Sequence, residues 1–178
     1  MITDLGIRAK DRLVKLADQV AGLHPNPEIR SEFTIRDVLE NHENLILNLR
    51  RHIKRGGKYI YYLSVIGNSN LSDLRRSFSE TRGGDSGRAY ARLNPHESSC
   101  LYVGSSSDLL KRMKEHLGYG AKATFALNLA WWAGDFPDLG LSLGFSQLPE
   151  TTTVDAMQAL EDTLWDELRP MFGRRGSK

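Results

Sequence analysis

Near the N-terminus, apolar residues return at helical spacing. Leu13, Leu16, Ala17, Val20 and Ala21 fall on one face with charges opposite, which predicts a helix over residues 2–22. "GLHPNPE" ends it, because two prolines in three residues cannot continue a helix. A second helix opens at "TIRD", with Thr34 as N-cap and Asp37 in a position like that of a capping box. Val38, Leu45, Ile46, Leu49 and Ile53 form its apolar stripe, and "RRHIKRGG", Arg50 to Gly57, closes it on two glycines. "KYIYYLSVIG", Lys58 to Gly67, is aromatic and β-branched and reads as a strand. Residues 67–98 are polar and hold Gly83, Gly84, Gly87 and the arginines Arg75, Arg76, Arg82, Arg88 and Arg92. "LSDLRRSF" predicts one short helix there and the rest a long loop, a length that usually marks function or disorder. "CLYVG" is a second strand, followed by a helix from near Ser107. "ATFALNLAWWAG", Ala123 to Gly134, reads as a helix, "DFPDLG" as a turn and "LSLGFSQLP" as a third strand. "TTTVDAMQALEDTLWDELRP" is a last helix, with threonines at its start, Asp155 in its first turn and Pro170 at its end. The order predicts an α+β domain of three strands over 58–178, behind a helical extension at 1–57.

Composition narrows this little. The 178 residues carry a net charge of +2, 40% hydrophobic and 26% charged residues, so attraction to a polyanion has to be judged locally. Cys100 is the single cysteine, which excludes an intrachain disulfide or a thiolate metal cluster and suits a small buried apolar residue. No window is apolar enough to span a bilayer. "MITDLGIRAKDRL" has charges where a signal peptide needs an apolar run, so the expected location is the cytoplasm.

Some residues stand out of place. On the last helix, Met157, Leu160, Leu164, Trp165 and Leu168 define an apolar face, and Glu161 falls inside it. A carboxylate there needs an ion pair, an edge position from which to reach water, or a bound cation. On the helix after Ser107, Leu109, Leu110, Met113 and Leu117 face inward and Lys111 and Lys114 outward. Arg112 and His116 share the border, one turn apart. They are either ordinary boundary residues or an arginine fork for a phosphate beside a proton-carrying histidine. Tyr59 and Tyr61 share one strand face and Tyr62 takes the other, a pattern that packing alone also explains. The Arg50–Gly57 run suits a helix C-terminus or a phosphate-contacting patch equally well.

Taken together, Tyr59-Ile60-Tyr61, Tyr102-Val103-Gly104, Arg112 with His116, and Glu161 followed by Pro170 resemble the ordered motifs of the GIY-YIG nuclease family. The resemblance runs from Lys58 to the C-terminus. It departs from the family at Tyr59, where the first glycine usually stands. The register Gly57-Lys58-Tyr59 restores that glycine but fits the following positions less well, so Tyr61 is the preferred motif tyrosine. The segment between the two tyrosine motifs is unusually long, and Gly173 stands where many members have an asparagine.

The resemblance implies a small three-stranded antiparallel sheet flanked by helices and a metal-dependent DNA endonuclease, for which size and stand-alone architecture suggest a restriction or defence type. A repair or recombination nuclease, or a catalytically silent nucleic-acid-binding module, is the alternative reading. It implies that Glu161 holds one Mg²⁺ or Mn²⁺ and that Arg112 neutralises the scissile phosphate. Tyr61, alone or with Tyr102, would act on the attacking water beside His116. The expected partner is double-stranded DNA, with RNA as the alternative, and a palindromic double-strand cutter would most simply be a homodimer. Expected backbone contacts are Arg50, Arg51, Lys54, Arg55, Arg75 and Arg76, with Ser105 and Ser106 at a phosphate-binding helix start.

Overall fold

Strands β1 (Ile29–Thr34), β2 (Lys58–Val65), β3 (Cys100–Ser106) and β4 (Gly140–Leu148) form one antiparallel sheet in the order β1-β4-β2-β3. The computed structural model describes residues 4–67, 70–84 and 86–176. Within these residues the sheet has four strands rather than the three expected. The additional one, "IRSEFT", buries only Phe33 and turns Arg30 and Glu32 to solvent. Its apolar signal is therefore too thin to read, and pairing with β4 is what fixes it as a strand. The segment before Lys58 is thus not purely helical.

Central strand β2 alternates as the sequence predicts, burying Tyr59, Tyr61, Leu63 and Val65 and leaving the residues between them half-buried. Helix α1 (Leu5–Ala21) lies against α5 (Val154–Leu168) and has no buried residue; Leu13 is 64% exposed. The expected helix start at residue 2 lies outside the described residues. Helix α2 (Ile35–Arg50) begins with the expected capping box. Thr34 Oγ1 accepts the Asp37 N–H at 3.2 Å, and the Asp37 carboxylate accepts the Thr34 N–H at 2.8 Å.

The helix expected in the arginine-rich stretch is present and runs further than "LSDLRRSF": α3 spans Leu71 to Gly83 and buries Leu74 and Phe78, one helical turn apart. Phe78 packs on Tyr90, Trp132 and Phe172, which ties the stretch into the core. Residues 68, 69 and 85 of the expected loop lie outside the described residues. The apolar run 123–134 is not a helix but an irregular segment with one 3₁₀ turn, Leu129–Trp131. Asn128 breaks the run with a left-handed φ of 55°, held by its amide donating to the Ala89 carbonyl.

The core includes Phe33, Ile35 and Leu49 from before residue 57 and Tyr61, Met113 and Phe172 from after it. No helix among the described residues is long and apolar enough to cross a membrane.

Candidate active site

Helix α4 (Leu109–Leu117) carries the cationic half of the site. It starts at Asp108, whose carboxylate accepts the Lys111 N–H, and stops at Gly118 with a left-handed φ of 103°. Met113 and Leu117 anchor it in the core. Arg112, Glu115 and His116 then fall on one side, three and four residues apart.

Arg112 joins both tyrosines, Glu115 and the Phe125 backbone. Its Nη1 donates to Glu115 Oε2 at 2.8 Å, its Nη2 to Tyr102 Oη at 2.8 Å, and its Nε to Tyr61 Oη at 3.3 Å. Nη2 also donates to the Phe125 carbonyl at 3.1 Å. Burial opposes this charge, but the two tyrosines and Glu115 outweigh it and hold the guanidinium pKa above its usual value.

His116 is wholly buried, deeper than the border position the helical spacing suggested. Its Nδ1 accepts the Leu127 N–H at 3.3 Å, so the neutral ring carries its proton on Nε2. Nε2 lies 2.9 Å from Tyr61 Oη and donates to it. Burial, with Arg112 adding repulsion, holds the imidazole well below its usual 6.5. The depressed group stabilises the fold above 6.5, where the unfolded ring is also neutral. Below that only the unfolded ring takes up a proton, and stability falls. Urea midpoints should therefore drop as pH is lowered from 7 through 6.5, and His116→Gln should flatten that slope. An unchanged slope would mean that other groups set it.

Tyr61 sits behind the wall of the site, 1% exposed, and burial pushes its phenol well above the usual 10. Of the two hydroxyls on Arg112, that of half-buried Tyr102 belongs to the residue lining the open cleft. The rejected register would have placed Tyr59 here. Instead the Tyr59 hydroxyl accepts the Lys54 N–H at 2.6 Å, apart from the Arg112 cluster.

Glu161 approaches from the other side of the sheet. Register pairs Tyr61 with Gly104 and Ile60 with Ser105, so Ser105 faces away from Tyr61. The Ser105 hydroxyl donates to Glu161 Oε2 at 2.6 Å. Glu161 is 7% exposed, whereas Leu160, Leu164 and Leu168 on the same helix are only half-buried. Burial raises its carboxyl above the usual 4.5, partly opposed by the Ser105 hydroxyl and by the Arg112 charge. Among the described residues it makes no ion pair, which removes the simplest structural account of a buried acid at this position.

The two halves meet in a cleft of about 540 Å³ lined by Tyr102, Arg112, Phe125 and Glu161. Arg82, Arg92 and Arg174 also line it, and Glu161 is the only acidic residue among the described lining residues. The chain after α5 explains this convergence. Met171 and Phe172 donate to the Cys100 and Leu101 carbonyls at 2.8 and 2.9 Å, and Gly173 to the Arg92 carbonyl at 2.8 Å. Gly173 has a φ of 105°, and a Cβ there would meet Tyr102 Cε2 at 3.0 Å. Glycine thus suits both the backbone turn and the packing of the tyrosine ring.

No protein-family model, curated protein or solved structure matches this chain.

None of the expected backbone-contact residues is among the described residues lining this cleft. Arg50 lines a separate groove of about 730 Å³ between α2 and α4, which contains none of Tyr61, Tyr102, Arg112 and Glu161. Arg51 and Arg55 are exposed, and Lys54 pairs with Glu150 at 2.6 Å. Arg75 donates to the His96 carbonyl at 3.0 Å, and Arg76 pairs with Asp73 at 2.5 Å. The Ser105 hydroxyl is taken by Glu161, and Ser106 Oγ accepts the Asp108 N–H at 3.0 Å. The α4 start is capped by the Asp108 carboxylate, which would repel a phosphate there. The arginines that reach the cleft are Arg82 and Arg92 from the arginine-rich stretch and Arg174 after the late proline. Their signal in sequence was arginine near the motif elements, with nothing to rank them above Arg75 or Arg76.

Proposed function

We propose that the protein is a divalent-metal-dependent endonuclease acting on DNA phosphodiesters. The observation that carries this reading is a buried carboxylate with no ion-pair partner among the described residues, in a cleft whose other described charged lining residues are arginines, one of which holds two tyrosine hydroxyls. A phosphate is the ligand that complements such a cleft. Arg112 would meet its non-bridging oxygens and neutralise the charge that grows in the transition state. Tyr102 would orient a water at the cleft surface, while Tyr61 and neutral His116 position Arg112 from behind. Arg82, Arg92 and Arg174 would contact flanking phosphates and supply affinity without sequence preference.

No group of three or more His, Cys, Asp or Glu residues able to hold a metal is present among the described residues. Glu161 alone nevertheless suits Mg²⁺ or Mn²⁺, since such ions take few protein ligands and fill their shell with water and phosphate oxygens. When bound, the ion would supply Lewis-acid stabilisation of the leaving oxygen.

The test has two readouts. Wild-type protein should cleave DNA with Mg²⁺ or Mn²⁺, and Glu161→Gln should not. In a thermal melt without DNA, Mn²⁺ should raise the wild-type Tm and leave Glu161→Gln unmoved. Without metal, Glu161→Gln should be the more stable protein at neutral pH. A raised carboxyl makes ionisation costly in the fold, so the wild type loses stability as pH rises from the unfolded value through the folded one. The difference should vanish below about pH 4. DNA binding with no cleavage in either metal would instead leave a silent binding module.

A further inference from the structure

Among the described residues lining the arginine-rich cleft, Tyr90 and Ala91 are buried, whereas Phe125 is a large apolar side chain open to solvent. It is 65% exposed, although it lies beside Tyr102, Arg112 and Glu161. Exposed single hydrophobics are ordinary on a surface, so the backbone beneath this one matters. The Phe125 carbonyl accepts from Arg112, the Ala126 carbonyl accepts the Ala91 N–H at 2.9 Å, and the Leu127 N–H donates to His116. Three consecutive residues are thus bonded to the site or to the segment beside it. The ring stands on a fixed backbone, and its position is tied to the arginine that would grip a phosphate.

A cationic cleft with an exposed aromatic ring on an anchored backbone matches one chemistry well: a nucleotide whose phosphate meets arginine and whose base meets the ring. A paired base in a duplex shows only its edges, because both faces are covered by its neighbours. Only an unpaired or extruded base offers a face. We propose that Phe125 is a stacking platform for an unpaired nucleobase next to the phosphate held by Arg112, so that the site prefers DNA with a local break in pairing. This rests on the phosphodiester reading of the cleft and adds the substrate feature that the cleft would select.

The test is binding by the full chain in EDTA, where no cleavage occurs, followed by fluorescence anisotropy. The probes are a duplex with one unpaired nucleotide, the same duplex with that position abasic, and the fully paired duplex. The first two have the same phosphates and differ only in the base. Wild-type protein should bind the base-containing bulge about 10-fold more tightly than the abasic one, the scale of one stacked base. Phe125→Ala should erase that difference without lowering Tm, and Phe125→Trp should restore it. Equal wild-type affinity for the base-containing and abasic bulges would overturn the proposal, as would a preference that survives Phe125→Ala. Base-dependent binding without metal-dependent cleavage keeps the platform and removes the nuclease reading. Cleavage without base preference does the reverse.

Discussion

Arg112→Lys should lower cleavage by about 10²- to 10³-fold while the protein stays folded, a loss typical of removing a preorganised donor from a charge-stabilising site. Lysine keeps the charge but not the planar fork. The present fork spans Glu115, both tyrosine hydroxyls and the Phe125 carbonyl, and a single ammonium cannot reach all four in one geometry. Arg112→Ala should add a stability defect, because it leaves Glu115 as a lone carboxylate whose side chain is only 10% exposed. Breaking a buried pair in this way costs about 3–5 kcal/mol. Neutralising the orphan in Arg112→Ala/Glu115→Gln should recover most of the Tm and none of the cleavage. Rates measured on matched folded fractions separate the two effects. Recovery of activity along with Tm in the double variant would mean that Arg112 serves only the fold.

The parts of this site that were legible in the sequence are those set by local periodicity. Glu161 could be placed on the wrong face of its helix for a solvated charge because the leucines around it define that face over several turns. Arg112 and His116 could be placed together because one helical turn separates them. The β2 alternation and the Thr34–Asp37 cap were readable for the same local reason. What escaped depends on distant pairing. β1 is a strand because β4 lies beside it, and Phe33 is its only buried residue. Residues 123–134 carry an apolar run fit for a helix, yet Asn128 turns the backbone to meet Ala89, nearly forty positions earlier. Arg92 and Arg174 enter the cleft through bonds that the chain after Pro170 makes to residues 92–101. Glu115 carries no signal of its own in the sequence, and only the structure shows Arg112 bonded to its carboxylate. Such contacts leave no periodic trace, so a basic stretch can be recognised without knowing which of its arginines face the substrate.

Gly104→Ala should be among the most disruptive small substitutions in the protein. A Cβ at this position would lie 2.6 Å from Tyr61 Oη, 2.8 Å from Tyr61 Cζ and 3.0 Å from Tyr102 Cε1. Both rings therefore pass directly over the β3 backbone at the point where it carries no side chain. The need is for space, since Gly104 is not among the residues with positive φ. Tyr61 has little freedom to retreat: it is 1% exposed and its hydroxyl is held by His116 and Arg112. An added methyl must push the ring off these donors or bend the strand, and overpacking of this kind costs about 1–3 kcal/mol. For a chain of this size that corresponds to a Tm lower by about 2–12 °C. Cleavage should fall further than stability alone explains, because Arg112 loses one of its two tyrosine supports. Pairing the change with a smaller neighbour separates the causes. Gly104→Ala/Tyr61→Leu should regain Tm relative to Gly104→Ala, since the clash is gone, while cleavage stays low, since the hydroxyl is gone too. A Gly104→Ala protein as stable and active as wild type would show that the ring does not lie against the strand. It would also remove the packing explanation for the glycine that ends the Tyr102-Val103-Gly104 motif.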